Sequence, residues 1–169
     1  VFVEVRLRTS ARFGGAADPL RAMWHNPRVL RADLALEAGV SRLRTLPGHL
    51  GKLAEMTVAL RIECEWCMDF GYFLAHAQGM DPQKLEQVPT WRTSDAFTPV
   101  ERRVMEFAEA ATATPPAVTD EMAQALRTDL GEDGLVELTM LVAVENLRSR
   151  FNSSLGLSSQ GFSESCRVP

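Results

Sequence analysis

Apolar residues recur at helical spacing along most of the chain, and proline, glycine and capping residues separate the resulting segments. The stretch "GHLGKLAEMTVALRIE" places Leu50, Leu53 and Leu60 at intervals of one and two helical turns. No window shows the sustained apolar–polar alternation of a half-buried strand. The pattern therefore predicts an all-α fold, a helical bundle formed by a single domain over residues 1–169.

Helix starts are marked by capping residues placed before the apolar stripes. Thr98, Pro99 and Glu101 form a capping box with a proline inside it. Similar signals predict further helix starts at Asn26, Asp81 and Thr119. A glycine, Gly131 or Gly134, is expected to separate the helix after Thr119 from the next one.

The most apolar segment is "LVELTMLVAVENLRSRFNSSLG", residues 135–156. Its apolar positions cover more than one face, which favours either the central, most buried helix or a contact between subunits. Residues 1–20 and 157–169 are expected to be less regular, the latter because of their Gly and Ser content.

Composition narrows the class of protein. The chain has 169 residues, 46% apolar and 24% charged, with a net charge of −4. Scattered Lys and Arg predict no nucleic-acid or membrane partner, and no apolar run approaches the roughly 18 residues of a membrane span. An odd, small number of cysteines and the lack of an apolar leader-like segment favour a reducing, cytoplasmic setting.

The candidate chemistry lies in "CEWCMDFG". Cys64 and Cys67 are one turn apart on one helix face, and Cys64 falls close to the predicted helix start. A thiol in the first turn is favoured as a thiolate by the helix dipole and the unpaired amides, as in redox-active C-x-x-C pairs. His76 follows nine residues after Cys67, about 180° around the helix, so it faces away from the pair.

Two other uses of the cysteines remain open on the residues alone. A structural zinc site needs four ligands, and the remaining candidates, Cys166, His25, His49 and His76, are isolated in sequence. Alternatively, the two thiols pack as inert buried residues beside Trp66 and Phe70. Cys166 itself is most simply a free thiol in the tail, the alternatives being a bond to another chain or a further resolving thiol.

The helix that begins near Leu135 ends in unusually polar residues. The end of this apolar stretch carries Glu145, Asn146, Arg148, Arg150 and Asn152. They form either a solvated helix end suited to the dipole or a group in which Arg148 or Arg150 reaches a carboxylate or a bound anion.

Together these motifs resemble those of a known family. "HNP", "CEWCMDFG", "GMDPQKL", "WRTSDAFTPVERRVMEFAEAAT" and "ENLRSRFNSSLGL" occur in an order that resembles the carboxymuconolactone decarboxylase superfamily, and the C-x-x-C resembles its alkylhydroperoxidase AhpD-like branch. The resemblance extends from His25 to Leu157. It implies an all-helical AhpD-like bundle that assembles as a homo-oligomer, a trimer or a hexamer.

The resemblance also implies roles for individual residues. Cys67 matches the attacking thiol and Cys64 the resolving one. The position of the family's glutamate is Lys52 here, and that of its histidine is Gly71. Glu55, one turn past Lys52, is then the candidate proton relay, and Lys52 the candidate thiolate stabiliser.

The resulting hypothesis is a thiol-dependent, peroxidase-like oxidoreductase that uses Cys64 and Cys67 without a cofactor or a metal. Its partner is a small-molecule peroxide or a thiol/disulfide reductant. The alternative is a non-redox AhpD-like scaffold, which either binds a small molecule in space near Gly71 or performs lactone chemistry of the carboxymuconolactone decarboxylase type.

Overall fold

The structure, a computed structural model, describes residues 17–163. The chain divides into two compact units, Val1–Leu43 and Arg44–Pro169. In the first unit, helix α1 (Asp18–Trp24) precedes helix α2 (Pro27–Val40). As predicted, Asn26 caps α2, since its side-chain oxygen accepts from the backbone N–H groups of Arg28 and Val29. Because α1 begins at Asp18, residues 18–20 of the expected irregular end are helical; residues 1–16 lie outside the described range.

The second unit holds the remaining helices, which follow one another along the chain. They are α3 (Gly48–Ile62), α4 (Glu65–Ala77), α5 (Pro82–Glu86), a 3₁₀ turn (Val88–Thr90), α6 (Pro99–Thr112) and α7 (Asp120–Ser154). Within residues 17–163 no strand occurs, and the all-α prediction is confirmed. No helix in this range is long and apolar enough to cross a membrane.

The predicted helix starts of the second unit are confirmed by their caps. Asp81 accepts from the backbone of Gln83, and Thr119 accepts from that of Met122. Thr98 and Glu101 form the full capping box. Of the two candidate glycines, Gly131 interrupts α7, with φ 77° and ψ 172°, whereas Gly134 lies within the following helix. Positive φ strains residues with a Cβ, so glycine is favoured there.

The central helix is α3, because both of its long faces are buried. One face packs with α6 and α7 in a cluster that includes Leu50, Val104 and Leu138. The opposite face packs with α4, α5 and the chain before α6, in a cluster that includes Met56, Tyr72 and Trp91. Of the two interpretations of residues 135–156, the one in which they form the central, most buried helix was therefore wrong, since α7 leaves Val136, Met140 and Leu147 exposed.

Candidate functional site

Cys64 and Cys67 lie where α3 turns into α4, and the structure joins them in a disulfide. Only Glu63 and Cys64 separate the two helices. Glu63 adopts a left-handed conformation, with φ 60°, and the Cys64 N–H donates to Ala59 O at 2.9 Å. Cys64 is the N-cap of α4, as its position predicted, and its Sγ accepts from the Cys67 N–H at 3.3 Å.

The two cysteines differ in exposure and in partners. Cys64 is 1% exposed and Cys67 is 7% exposed. The buried Asn152 of α7 donates from Nδ2 to Cys67 Sγ at 3.3 Å. An amide N–H aimed at a sulfur stabilises negative charge on it, so the site already holds a donor for a Cys67 thiolate.

Lys52 and Glu55 belong to a partly buried ion-pair network that joins α3 to α7. Lys52 Nζ bonds Glu55 at 2.5 Å, and Arg148 Nη1 bonds the other Glu55 oxygen at 3.2 Å. Arg148 also donates to Glu145 at 3.1 Å, and Ser149 Oγ donates to Glu145 at 2.9 Å. Of the two interpretations of Arg148, the one in which it reaches a carboxylate is confirmed.

The two glutamates of this network differ in protonation. Burial alone would raise the pKa of Glu55, but Lys52 and Arg148 outweigh it and hold that pKa below the ordinary value. Burial raises the pKa of Glu145 to about 7; Arg148 opposes the shift and the nearby Glu55 carboxylate adds to it. Glu55 therefore stays ionised, whereas Glu145 exchanges a proton near neutral pH.

The same face of α7 carries the network and the sulfur contact. Glu145, Ser149 and Asn152 are spaced by four and three residues, and all three are buried. At about 1.5 Å per residue, Glu145 lies roughly 10 Å along the helix from Asn152. Neither Lys52 nor Glu55 bonds a sulfur in the part of the chain that is described; they bond each other and α7 instead.

Gly71 takes the position of the family histidine, and there is space for a side chain beside it. A Cβ built on Gly71 would meet only Met56 Cγ, at 3.6 Å, which is ordinary contact. His76 is exposed at the end of α4 and lies against the Tyr72 ring, with centroids 6.4 Å apart, so it faces away as predicted. The described residues hold no cluster of three His, Cys, Asp or Glu side chains arranged for a metal.

A short segment after α7, residues 159–163, returns to α4; we call it the C-terminal strap. The fully buried Asp69 carboxylate accepts four hydrogen bonds from it, from Ser159 Oγ and from the backbone N–H groups of residues 160, 162 and 163, at 2.7–3.0 Å. The indole of Trp66, which lies between the cysteines, donates to Gln160 at 2.8 Å. Phe162 packs against Trp66 and Phe70.

The roles of three residues of this site were not identified from the sequence. Asn152 and Glu145 lie about eighty residues after the cysteines, and only the polar end of an apolar helix signalled them. Asp69 carried no signal, since a single aspartate in a helix is usually exposed. Residues 157–163 are irregular as predicted, yet the strap is anchored to α4. Cys166 lies outside the described residues.

Comparison with known proteins gives a family and several relatives. A model of the carboxymuconolactone decarboxylase family matches residues 27–110. YnjA, an uncharacterised protein of Escherichia coli K12, is 36% identical over 158 residues, which are 93% of this chain and 85% of YnjA.

Solved structures share the fold at low sequence identity. The apo debrominase Bmp8 superposes with a TM-score of 0.80 at 19% identity, over 91% of this chain and 83% of Bmp8. An alkylhydroperoxidase AhpD core, a peroxidase-related protein of Ralstonia eutropha JMP134, gives 0.79 at 16% identity, over 92% of this chain and 83% of its own.

Proposed function

Because the chain belongs to the carboxymuconolactone decarboxylase family and has the AhpD-like fold, we propose that it is a thiol-dependent oxidoreductase. Its Cys64–Cys67 pair reduces a peroxide or exchanges with a dithiol partner. The observation that carries the proposal is the disulfide itself, placed at the start of α4 with an amide donor on Cys67.

The two thiols supply the two electrons that reduce a peroxide, so the reaction needs no cofactor. The Cys67 thiolate attacks one peroxide oxygen, which forms a Cys67 sulfenic acid and releases an alkoxide that takes up a proton. The Cys64 thiol then attacks the sulfenic sulfur, which forms the disulfide and releases water. An external dithiol restores both thiols and is itself oxidised to a disulfide.

The environments of the two sulfurs support this division of roles. Cys67 is the more exposed residue and has the Asn152 donor, so it suits the attacking thiolate. When a reductant attacks Cys67, Cys64 leaves as a thiolate at the N-terminus of α4, where the Cys67 N–H and the helix dipole stabilise it. The resemblance to the AhpD-like branch implies the same assignment.

In this proposal Glu145 supplies the proton for the alkoxide through water, since it lies roughly 10 Å along α7 from the Asn152 that contacts Cys67. Its raised pKa leaves it protonated in part of the population near neutral pH. The lowered pKa of Glu55 suits a fixed negative charge that orients Lys52 and Arg148. Glu55 as a relay and Lys52 as a thiolate stabiliser stay predictions, and Glu145 is the stronger proton donor of the two carboxyls.

The test is single-turnover oxidation of the reduced chain by tert-butyl hydroperoxide, with mass spectrometry of each cysteine. We expect one peroxide to be consumed per chain and a Cys64–Cys67 disulfide to form. Cys67→Ser should abolish consumption, whereas Cys64→Ser should stop at the Cys67 sulfenic acid. Cys166→Ser is the matched control and should behave like the wild type.

Other results would favour the alternative scaffold role. If both thiols stay reduced in the folded protein, with peroxide and with an oxidised dithiol alike, the redox proposal is lost. Turnover of a lactone substrate that survives in the Cys64→Ser, Cys67→Ser double variant would point to the decarboxylase type of chemistry instead.

A further inference from the structure

Helix α7 ends in a Schellman motif that starts at Asn152. The Leu157 N–H donates to Asn152 O at 3.1 Å, and Gly156 takes the left-handed position, with φ 64°. The Gly156 N–H donates to Ser153 O at 3.0 Å. Asn152 therefore bonds in two directions, because its side-chain Nδ2 also donates to Cys67 Sγ at 3.3 Å. A single residue separates this turn from the C-terminal strap.

These contacts close a circuit between α7 and α4. From Cys67 the circuit passes through the side chain and carbonyl of Asn152 into the turn. It then follows the strap, whose backbone donors bond Asp69, two residues after Cys67. In a closed circuit each contact keeps the partners of the others close together, which raises their effective concentration. Loss of one contact should therefore weaken the rest.

The last turn of α7 lies beyond the ion-pair network that fastens the helix to α3. Arg148, one turn before Asn152, bonds Glu55 of α3. Past Asn152, residues 153–156 are exposed. The final carbonyls of a helix have no intrahelical partners, so an exposed last turn frays unless other groups bond it. The strap supplies such a bond through the Leu157 N–H and connects this turn to α4.

We propose that Asp69 is a positioning residue of the thiol site. Through the strap it holds the last turn of α7 against α4, and this keeps the Asn152 amide on Cys67. Among the described residues, the Asp69 carboxylate bonds the strap and neither sulfur, so it acts through Asn152. The inference rests on the proposed use of Cys67 as a thiolate, because that is the state an amide donor stabilises most.

The strap also covers the helix turn that carries the cysteines. Phe162 packs edge-on against Trp66, with ring centroids 6.0 Å apart, and Asn152 is only 2% exposed. A hydrogen bond to a charged sulfur is strong where water does not compete with it. When the strap is released, we expect water to solvate the Cys67 thiolate in place of the amide. Release should therefore remove the dependence of Cys67 on Asn152, whichever way it moves the reactivity of the thiol itself.

The experiment is a double-mutant cycle measured as Cys67 alkylation in the reduced chain, with mass spectrometry, from about pH 5 to 10. With the strap intact, Asn152→Ala should slow alkylation near neutral pH about tenfold. In the Asp69→Asn background, the same substitution should change the rate by less than about twofold. No peroxide enters this measurement, so failure of the inference is distinguishable from failure of the proposed function.

The matched control for Asp69→Asn is Glu101→Gln. Glu101 is likewise a buried carboxylate that accepts four hydrogen bonds, but it lies at the start of α6, where Lys84 and Thr98 bond it. The variant loses comparable contacts without touching the strap. Asn152→Ala should keep its full effect of about tenfold in the Glu101→Gln background.

A second variant perturbs the turn instead of the anchor, so the test does not depend on Asp69→Asn being folded. Gly156→Val strains the left-handed turn by its backbone alone, since a Cβ there meets no atom within 4 Å. It should reduce the effect of Asn152→Ala as Asp69→Asn does. Gly79→Val is the matched control, because Gly79 is equally exposed, has φ 85° and lies just beyond the other end of α4.

The coupling should also act in the reverse direction. At a pH where Cys67 is a thiolate, Asn152→Ala should speed hydrogen exchange at the amides of Phe162 and Ser163. The factor should match that of the cycle, at least about fivefold, because a coupling free energy is reciprocal. Asn146→Ala should leave this exchange unchanged, since its amide bonds other groups.

Three results would overturn the inference. One is an effect of Asn152→Ala that is equal in the wild-type and Asp69→Asn backgrounds, or absent in both. Another is a strap that stays protected from exchange in Asp69→Asn, since Asp69 would then not be its anchor. The third is an equal influence of Gly156→Val and Gly79→Val, which would assign the coupling to general loss of stability.

Discussion

Glu55 and Glu145 lie in one ion-pair network, yet their surroundings separate their proton affinities. Two cations bond Glu55, whereas Glu145 shares Arg148 and lies near the Glu55 charge. Glu145 is buried and Glu55 is largely shielded from solvent, so the count of cations decides which one gives up its proton. A sequence shows that these residues are acidic, but not which cation each one contacts.

Glu145→Gln should remove a proton donor whose effect depends on pH. In the wild type, Glu145 is protonated below pH 7 and loses its proton as the pH rises through about 7. The variant's rate of peroxide reduction should therefore be about tenfold below the wild type at pH 6 and approach it by pH 8.5. The measurement is the ratio of the two rates across this range, which cancels the ionisation of the thiols. Exposed Glu106→Gln is the control.

One result would contradict Glu145 as the proton donor. A constant ratio for Glu145→Gln, together with a pH-dependent ratio for Glu55→Gln, would return the relay to Glu55.

Asn152→Ala should make the Cys67 thiolate less stable, because its Nδ2 donor to the sulfur is lost. Loss of a hydrogen bond to a charged group should slow Cys67 alkylation near neutral pH by roughly tenfold. The measurement is the pH dependence of Cys67 alkylation, followed by mass spectrometry. Asn146→Ala is the matched control, since its amide bonds Thr112 and Val142 instead. Equal alkylation profiles for the two variants would contradict a role for Asn152.

The residues of the site divide by how local their signals are. Cys64, Cys67 and the start of α4 could be predicted because spacing and capping are properties of a few neighbouring residues. Asn152 lies 85 residues from Cys67, and its contact depends on how α7 packs against α4. No local pattern encodes that packing.

At the scale of elements, the C-terminal strap is an irregular segment that one buried carboxylate, Asp69, holds against α4. Asp69 accepts all four of its hydrogen bonds from the strap. The strap in turn bonds Trp66, next to both cysteines. The composition of the segment correctly predicted irregular backbone, but composition does not reveal an anchor in another helix.

Asp69→Asn should release the strap, because an amide turns two N–H groups toward backbone donors that need an acceptor. We expect the free energy of unfolding to fall by roughly 2–4 kcal/mol. The amides of Gln160, Phe162 and Ser163 should lose their protection against hydrogen exchange. Ser159→Ala removes only one of the four bonds and should cost about 1 kcal/mol. Protection that survives in Asp69→Asn would show that the aromatic contacts of Phe162 suffice.

The helices themselves were largely predictable, and their burial was not. Capping residues determine where helices begin, so Asp81, Thr98 and Thr119 could be identified from neighbouring residues. Burial depends on what covers each face. Both faces of α3 are covered, whereas part of the apolar surface of α7 is exposed, although α7 has the more continuous apolar run.

At the scale of the whole molecule, buried carboxylates set how stability varies with pH. Burial opposes ionisation of both Glu101 and Glu137. Hydrogen bonds from Lys84 and Thr98 nevertheless hold the pKa of Glu101 below 4.5. Hydrogen bonds from Leu46 and Thr45 do the same for the pKa of Glu137. Glu55 behaves likewise. Glu145 is the opposite case, with a pKa raised from 4.5 to about 7.

The oxidised protein should therefore be most stable at mildly acidic pH. Stability from the three lowered carboxyls is present above pH 4.5 and is lost as the pH falls below it. Stability linked to Glu145 is fully present below pH 4.5 and is lost as the pH rises through 7. The free energy of unfolding, measured with urea from pH 3.5 to 8.5, should have a maximum near pH 5–6.

The variant that isolates the alkaline limb is Glu145→Gln. It should flatten the decline above pH 5 and leave the acid limb unchanged. A decline above pH 6 of the same size in wild type and variant would assign it to another group.

The anchored strap also limits how far the chain can be shortened. A chain ending at residue 158 would keep every helix from α1 to α7, yet it would leave the Asp69 carboxylate facing no donor and the Trp66 indole without Gln160. The minimal folding unit therefore extends past the last helix to Ser163, the final donor to Asp69. A fusion that begins directly after α7 would therefore remove the strap contacts to α4, the helix that starts at the two cysteines.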